Sequence, residues 1–293
     1  MRILFLIFFL FFQNPLISKD YSYEIGIVLM FQNEARFLKE WIEYHKEVGV
    51  EHFYLYNNLS RDDFYPIIEP YIESGEAEYF DYPIQTFAQQ DYHALQCEIY
   101  NHALSLAKGK VKWLAFIDAD EYIVPLKRSK LNQELAHFPD SIGGVYLSWR
   151  NFGTSHVDKI PQDRLRIEML LLCEPHPNGA QLGKSIVRPE RVLQICDPHV
   201  FFYNPPYCHV TTDYRNFEWC APYSSRRMQI YHYYTGDLDH LIHVKYPRRV
   251  KWNGIELESY IEQLEGLNSC YNSYMLKFVP QVRKALGLSM CRQ

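Results

Sequence analysis

From residue 25 onward, unbroken apolar runs alternate with stretches in which apolar side chains recur at helical spacing. IGIVLMF (25–31) has the length and composition of a strand buried on both faces. Glu34 to Val48 sets Phe37, Leu38, Trp41 and Ile42 on one face of a helix, and Gly49 supplies its stop. HFYLYNN (52–58) reads as a second strand, DDFYPIIEPYIES (62–74) as a short helix broken by its prolines, and EAEYFDYP (76–83) as a third strand. A long helix over 89–108 ends before Gly109, and the apolar runs VKWLAFID (111–118) and GGVYLSW (143–149) follow as strands. The alternation predicts an α/β fold, a mainly parallel sheet with helices on both faces.

After Trp149 the rhythm lapses into a stretch over 155–223 rich in proline and histidine, and two helical segments follow near 256–268 and 271–286. No internal repeat or low-complexity linker divides the chain. The pattern therefore predicts one domain over roughly 25–235, with an irregular second half packed on the strand ends and a helical C-terminal tail.

The first twelve residues, MRILFLIFFLFF, stand apart: Arg2 precedes ten apolar residues, and Gln13, Asn14 and Pro15 end the run. The run falls short of the roughly 17–25 residues of a membrane span and resembles a signal-peptide core, although Leu16, Ile17 and Ser18 make a poor cleavage site. Residues 1–18 are expected to be a signal peptide or short membrane anchor, making the protein exported or membrane-associated. A cytoplasmic location follows if the segment is not a targeting signal.

Composition narrows the function. At 47% apolar and 22% charged the chain has material for a large core, and 30 basic against 35 acidic residues give no electrostatic reason to expect nucleic acid. The 24 tyrosines and 5 tryptophans are mostly core material but suit sites that stack on sugar faces. Seven cysteines, with no CxxC pair, carry no zinc signature, and Cys173, Cys196, Cys208 and Cys220 allow three pairings that sequence cannot choose between.

In open parallel sheets ligands bind beyond the carboxyl ends of the strands. Three apolar runs end in polar clusters: Gln32-Asn33-Glu34, Asn57-Asn58 and Asp118-Ala119-Asp120-Glu121. The asparagines also fit plain roles in caps and turns. The two aspartates are more specific, because like charges side by side after a buried strand call for a counter-charge, and a divalent cation such as Mg²⁺ or Mn²⁺ supplies one. The chain has no GxxxxGK[ST], no GxGxxG after its first strand and no GxSxG, which removes the main competing phosphate-binding and hydrolase signatures.

Together, QNEARFLKEWIEYHKEVGVEHFYLYNN, WLAFIDADEYIVP, WRNFGTSH, KSIVRPERV and IYHYYTGD resemble glycosyltransferase family 92 and its bacterial family-2-like relatives with the GT-A fold, over residues 24–250. The resemblance implies a GT-A (Rossmann-like) domain over 24–250 and a tail over 251–293. It also implies metal-dependent, inverting transfer of a sugar from a nucleotide-sugar, UDP-linked and with galactose the family's suggestion, to a glycan or lipid acceptor. Asp118 and Asp120 would hold Mn²⁺ or Mg²⁺, with His232 as a further metal ligand. Asn33, Glu34, Asn57 and Asn58 would contact the nucleotide, and Lys184 and Arg188 the diphosphate. Asp213 or Glu218 would be the general base, with Glu121 and Asp158 also eligible, and Trp149 and His156 would shape the acceptor side. His199 and His209 have no role at this stage. Two other readings stay open: a glycan-binding protein on a degenerate transferase fold, and a metal-dependent nucleotidyltransferase.

Overall fold

The structure, a computed structural model, describes residues 20–176, 179 and 182–289, so the segment 1–18 and Cys291 lie outside the described residues. The first half runs β1 (Tyr23–Phe31), α1 (Ala35–Glu47), β2 (His52–Asn57), α2 (Tyr65–Glu73), β3 (Ala77–Asp81), α3 (Gln89–Ala107), β4 (Val111–Phe116), β5 (Glu121–Pro125), α4 (Leu131–Leu135) and β6 (Ile142–Asn151). There follow α5 (Arg166–Met169), β7 (Leu172–Cys173), β8 (Gly183–Val187), β9 (Val192–Gln194), β10 (Phe202–Tyr203), β11 (Cys208–Thr211) and β12 (Met228–His232). Then come α6 (Leu238–His240), a π-helical turn (Leu241–Lys245), α7 (Tyr246–Asn253), α8 (Leu257–Leu264), β13 (Cys270–Tyr271) and α9 (Val279–Ala285).

The main sheet has the order β3-β2-β1-β4-β8-β6-β12-β5, with β11 beside β6. The strands from β3 to β4 are parallel, as are β6 with β12 and β6 with β11. β8 runs antiparallel to both β4 and β6, and β5 antiparallel to β12. The sheet is thus mixed but mostly parallel. Its second half is more regular than the lapse in periodicity suggested, because β8 and β12, of five residues each, are central strands too short to carry a period of their own.

Both faces are buried. Along β1, Ile25, Ile27 and Leu29 join one core with Trp41 of α1, Leu55 and Trp113, while Val28 and Met30 join a second core with Ile99 of α3, Tyr54 and Phe116. The C-terminal tail closes on the first core: Phe278 and Val282 are buried in it, and the Phe278 ring lies 5.3 Å from that of Tyr44. Gly49 ends α1 at a φ of 103°, the left-handed geometry of a helix stop. Among the described residues no helix is long and apolar enough to cross a membrane. Cys97, Cys173, Cys196, Cys208, Cys220 and Cys270 are all free thiols, so no disulfide joins Cys173, Cys196, Cys208 and Cys220 in any pairing.

Strand direction decides where chemistry gathers. With β8 and β5 reversed, the carboxyl ends of β1, β4, β6 and β12 and the amino ends of β8 and β5 share one edge of the sheet.

Candidate active site

Between β4 and β5 the chain turns through Asp118-Ala119-Asp120, pinned by the Glu121 amide donating to the Asp118 carbonyl (3.0 Å) and the Asp118 amide donating to Glu121 Oε2 (3.0 Å). The Glu121 carboxyl is fully buried, and burial, opposed by Lys184 and reinforced by Asp118 and Asp120, holds its pKa well above the carboxylate range. It serves as the internal brace of the turn.

Each aspartate meets a lysine from a distant element. Asp118 accepts from Gln96 Nε2 of α3 at 3.0 Å on Oδ1 and pairs through Oδ2 with Lys184 Nζ at 3.0 Å. Lys184 reaches it because β8 is antiparallel to β4, and the preceding Gly183 lets β8 lie close to β6: a Cβ there would sit 1.9 Å from the Leu147 carbonyl oxygen. Asp120 is buried, and its Oδ2 meets Lys245 Nζ from the π-helical turn and lies 3.5 Å from His232 Nε2. Burial alone would raise the Asp120 pKa, but Lys245 and His232 outweigh it and hold the group well below its usual value. Lys184 and Lys245 are raised for the matching reason, each carboxylate overcoming the cost of burial.

His232 is fixed by a relay. Its Nδ1 lies 2.9 Å from Asn151 Oδ1, and both Asn151 Nδ2 (3.0 Å) and the Asn151 backbone amide (2.9 Å) donate to Glu174 Oε1. A backbone N–H can only donate, so Oε1 is an acceptor there; turning the Asn151 amide over would set oxygen against oxygen. Asn151 therefore offers oxygen to the imidazole, a ring proton sits on Nδ1, and Nε2 is the nitrogen that faces Asp120. Among the described residues no three His, Cys, Asp or Glu side chains form a ready metal cage. Two carboxylates and an imidazole nitrogen are nevertheless groups that Mn²⁺ and Mg²⁺ accept.

These groups wall a cleft of about 290 Å³ that also contains Glu34, Tyr92 and Trp149 and, from α7, Arg248, Arg249 and Trp252. Four cationic side chains face three carboxyls there, and burial pushes one of the three, Glu34, toward its neutral form against the pull of Lys245 and Arg166. The balance favours an anion. The Arg248 guanidinium lies over the rings of Tyr92 and Trp252, at 5.2 and 6.0 Å. A side recess of about 230 Å³ continues past Tyr92 and Arg248 to Asn33, Asn58 and Thr86.

Of the residues singled out in the sequence, Glu34, Asp118, Asp120, Trp149, Lys184, His199 and His232 come together in the cleft. The indole of Trp149 packs 4.5 Å from the His232 ring. The asparagines build loops. Asn33, at a φ of 58°, accepts from the Arg61 amide; Asn57 joins Asp81 to the Ser60 amide; Asn58 donates to the carbonyls of Tyr82 and Ile84. Asn33 and Asn58 border the side recess, and Asn57 borders neither space.

Four expectations are corrected. Arg188 sits at the far end of β8, 4.1 Å over the Trp113 ring and 3.1 Å from Asp140, too distant for a diphosphate in the cleft. His156 is exposed, its ring facing Glu265 at 3.8 Å. Asp213 closes a surface turn with Thr211 and Arg215, and Glu218 lines a separate groove, so neither is placed to act as base inside the cleft. Sequence reasoning missed Tyr92, Gln96, Lys245, Arg248 and Arg249. The last three were legible only as the spacing of cations in HVKYPRRVKW, one helical turn apart.

The family model for glycosyltransferase family 92 matches residues 26–259. A glycosyltransferase family 92 protein of Ricinus communis is 28% identical over 185 residues, covering 60% of this chain and 31% of that protein. One of Arabidopsis thaliana is 27% identical over 179 residues, covering 58% and 29%. The chain thus spans about a third of the length of these curated relatives. Among solved structures, residues 1–349 of Staphylococcus aureus TarS are similar at a TM-score of 0.40 and 14% identity, covering 90% of this chain and 79% of that one. Glucosyl-3-phosphoglycerate synthase of Mycobacterium tuberculosis, in complex with Mn²⁺, UDP and glucosyl-3-phosphoglycerate, is similar at a TM-score of 0.33 and 17% identity, covering 58% of each chain.

Proposed function

The chain belongs to glycosyltransferase family 92, and from that premise we propose that it transfers a sugar with inversion from a UDP-linked donor, galactose being the first candidate, to an acceptor hydroxyl. The observation that carries this reading is the convergence of Asp118, Asp120 and His232 with Lys184, Lys245, Arg248 and Arg249 in one cleft at the sheet edge.

The cations give a diphosphate its counter-charge, and the arginines add planar, multiply donating groups suited to phosphate oxygens. Lys184 and Lys245, each already ionised against an aspartate, neutralise charge as it builds on the departing diphosphate. Tyr92 and Trp252 flank the Arg248 side of the cleft and offer aromatic faces beside the recess, where a nucleobase would find room. Asp118, Asp120 and the Nε2 of His232 would hold Mn²⁺ or Mg²⁺, which supplies Lewis-acid stabilisation of the leaving group. The Glu174–Asn151 relay keeps the imidazole in the tautomer that can ligate. In this reading residues 1–18 direct the protein to a membrane or out of the cytoplasm, where glycan acceptors are assembled.

Replacing Asp118 or Asp120 by Asn tests the reading. Each variant is expected to keep its circular dichroism and to lose UDP release from UDP-sugars by about a hundredfold or more. Undiminished release by both would refute the metal and diphosphate roles. Pyrophosphate release from a nucleoside triphosphate would point instead to nucleotidyl transfer.

A further inference from the structure

The proposed chemistry needs a route by which the acceptor arrives and a group to take its proton, and the cleft lacks both of the carboxylates first considered for the second task. Two of its walls, Leu182 and His199, also wall a second recess of about 230 Å³ that reaches Trp219. Val200 and Trp219 also wall a third, of about 300 Å³, bordered by Phe202, Phe217 and Glu218. The two outer recesses, joined by those shared walls, make a trough that begins at His199 beside the cleft.

Its lining is unlike that of the cleft. Among the described residues no lysine or arginine borders either outer recess; the carboxylates there are Asp197 and Glu218. Trp219 is 63% exposed and Phe202 40%, with their rings edge to face at 5.6 Å, so a large apolar surface stands open to solvent beside hydrogen-bond-accepting carboxylates. Flat aromatic faces for C–H surfaces, with carboxylates for hydroxyls, match a neutral sugar chain. Among the described residues a polyprenyl phosphate would find no lysine or arginine bordering either outer recess to meet its anion.

His199 stands where the cleft meets the trough. Its Nδ1 is 2.7 Å from the Gly183 carbonyl oxygen, which can only accept, so the ring proton is on Nδ1 and Nε2 carries a free lone pair. Asp197 anchors the His199 backbone amide at 2.8 Å, and the ring packs edge-on to Trp149 at 5.3 Å. The aspartates of the cleft are each held by a lysine, and Glu34 borders neither outer recess.

Resting on the transferase reading, we propose that the trough from His199 to Trp219 and Phe202 is the acceptor subsite for a neutral oligosaccharide, and that His199 Nε2 takes the proton of the attacking hydroxyl. The acceptor O–H bond breaks with its proton passing to Nε2. The oxygen forms a bond to the anomeric carbon, and the bond from that carbon to the diphosphate breaks with its electron pair leaving on UDP. Burial, with Lys184 nearby, pushes the imidazole pKa down to about 4, so the base is free at neutral pH and has the basicity of the carboxylates that commonly fill this role.

The test is a transfer assay on the full chain with UDP-galactose and other UDP-sugars. The acceptors are end-tagged gluco-, galacto-, manno- and xylo-tetrasaccharides, with a polyprenyl phosphate as competitor. Transfer to a tetrasaccharide is expected, with Trp219→Ala raising acceptor KM about tenfold while donor KM moves less than about twofold. His199→Gln is expected to lower kcat about a hundredfold with little change in either KM, and to abolish the acid limb of the wild-type pH profile. Transfer to the polyprenyl phosphate alone, an unchanged acceptor KM in Trp219→Ala, an acid limb retained in a folded His199→Gln, or UDP release with no tetrasaccharide accepted would each overturn the proposal. Absence of both UDP release and UDP binding would instead overturn the transferase reading on which it stands.

Discussion

At the scale of single residues, the cleft is governed by the cost of burying charge. Asp120 can stay ionised under the protein surface only because Lys245 and His232 stand against it, and the same holds for Lys184 with Asp118. The tautomer of His232 is equally determined by what lies behind it. Replacing Asn151 by Leu removes the acceptor from Nδ1, and ¹⁵N-detected NMR of the imidazole should then show loss of the Nδ1–H form. Mn²⁺ affinity should fall by about tenfold to a hundredfold, whereas an unaltered tautomer would show that Asn151 does not set it. The aspartates could be read from sequence because two carboxylates crowded together after a buried run repel each other and must be met by positive charge. Asn33, Asn57 and Asn58 had the same strand-end signature, yet polar residues at such positions also hold the turns, and all three do so. Which use an asparagine serves depends on loop partners 24 to 28 positions away, and local pattern does not carry those.

At the scale of elements, the strand and helix order through β4 follows from alternating periods, while β8 shows what the pattern omits. Lys184 and Arg188 look equivalent in sequence, but they lie at opposite ends of one strand, and its antiparallel insertion sends only Lys184 to the cleft. The direction of a five-residue strand comes from its neighbours. The contact of α1 with β5 gives a pH prediction. His45 of α1 sets Nδ1 2.8 Å from the Trp41 carbonyl oxygen and accepts the Ile123 amide on Nε2 at 3.2 Å, which requires a neutral ring. Burial pushes its pKa from 6.5 down to about 3. The unfolded chain therefore takes up a proton below pH 6.5 that the folded chain refuses until about pH 3, and stability falls as pH drops through that window. The slope for this one group approaches 1.4 kcal/mol per pH unit, to order of magnitude. Urea midpoints should decline accordingly, with the His45 ring signal staying in its neutral form. Titration of that ring near its ordinary value in the native protein would contradict the assignment.

At the scale of the molecule, the α/β architecture was legible because a sheet buried on both faces writes continuous apolar runs into its strands. The mixed character of the second half was not, since β8, β11 and β12 are short and join the sheet only through pairings with β4, β5 and β6. The tail, which reads as an appendage, instead completes the core beneath α1 through Phe278 and Val282. The cleft draws on distant parts of this arrangement, from Met30 of β1 to Tyr260 of α8. Its function as a nucleotide-sugar site is best tested by calorimetric titration of UDP, with Mn²⁺, into the full chain and into Asp120→Asn. Saturable binding by the unaltered protein, strongly weakened in the variant, is the predicted result. A folded protein that binds neither UDP nor any other nucleoside diphosphate, or that binds UDP equally well without Asp120, would contradict it.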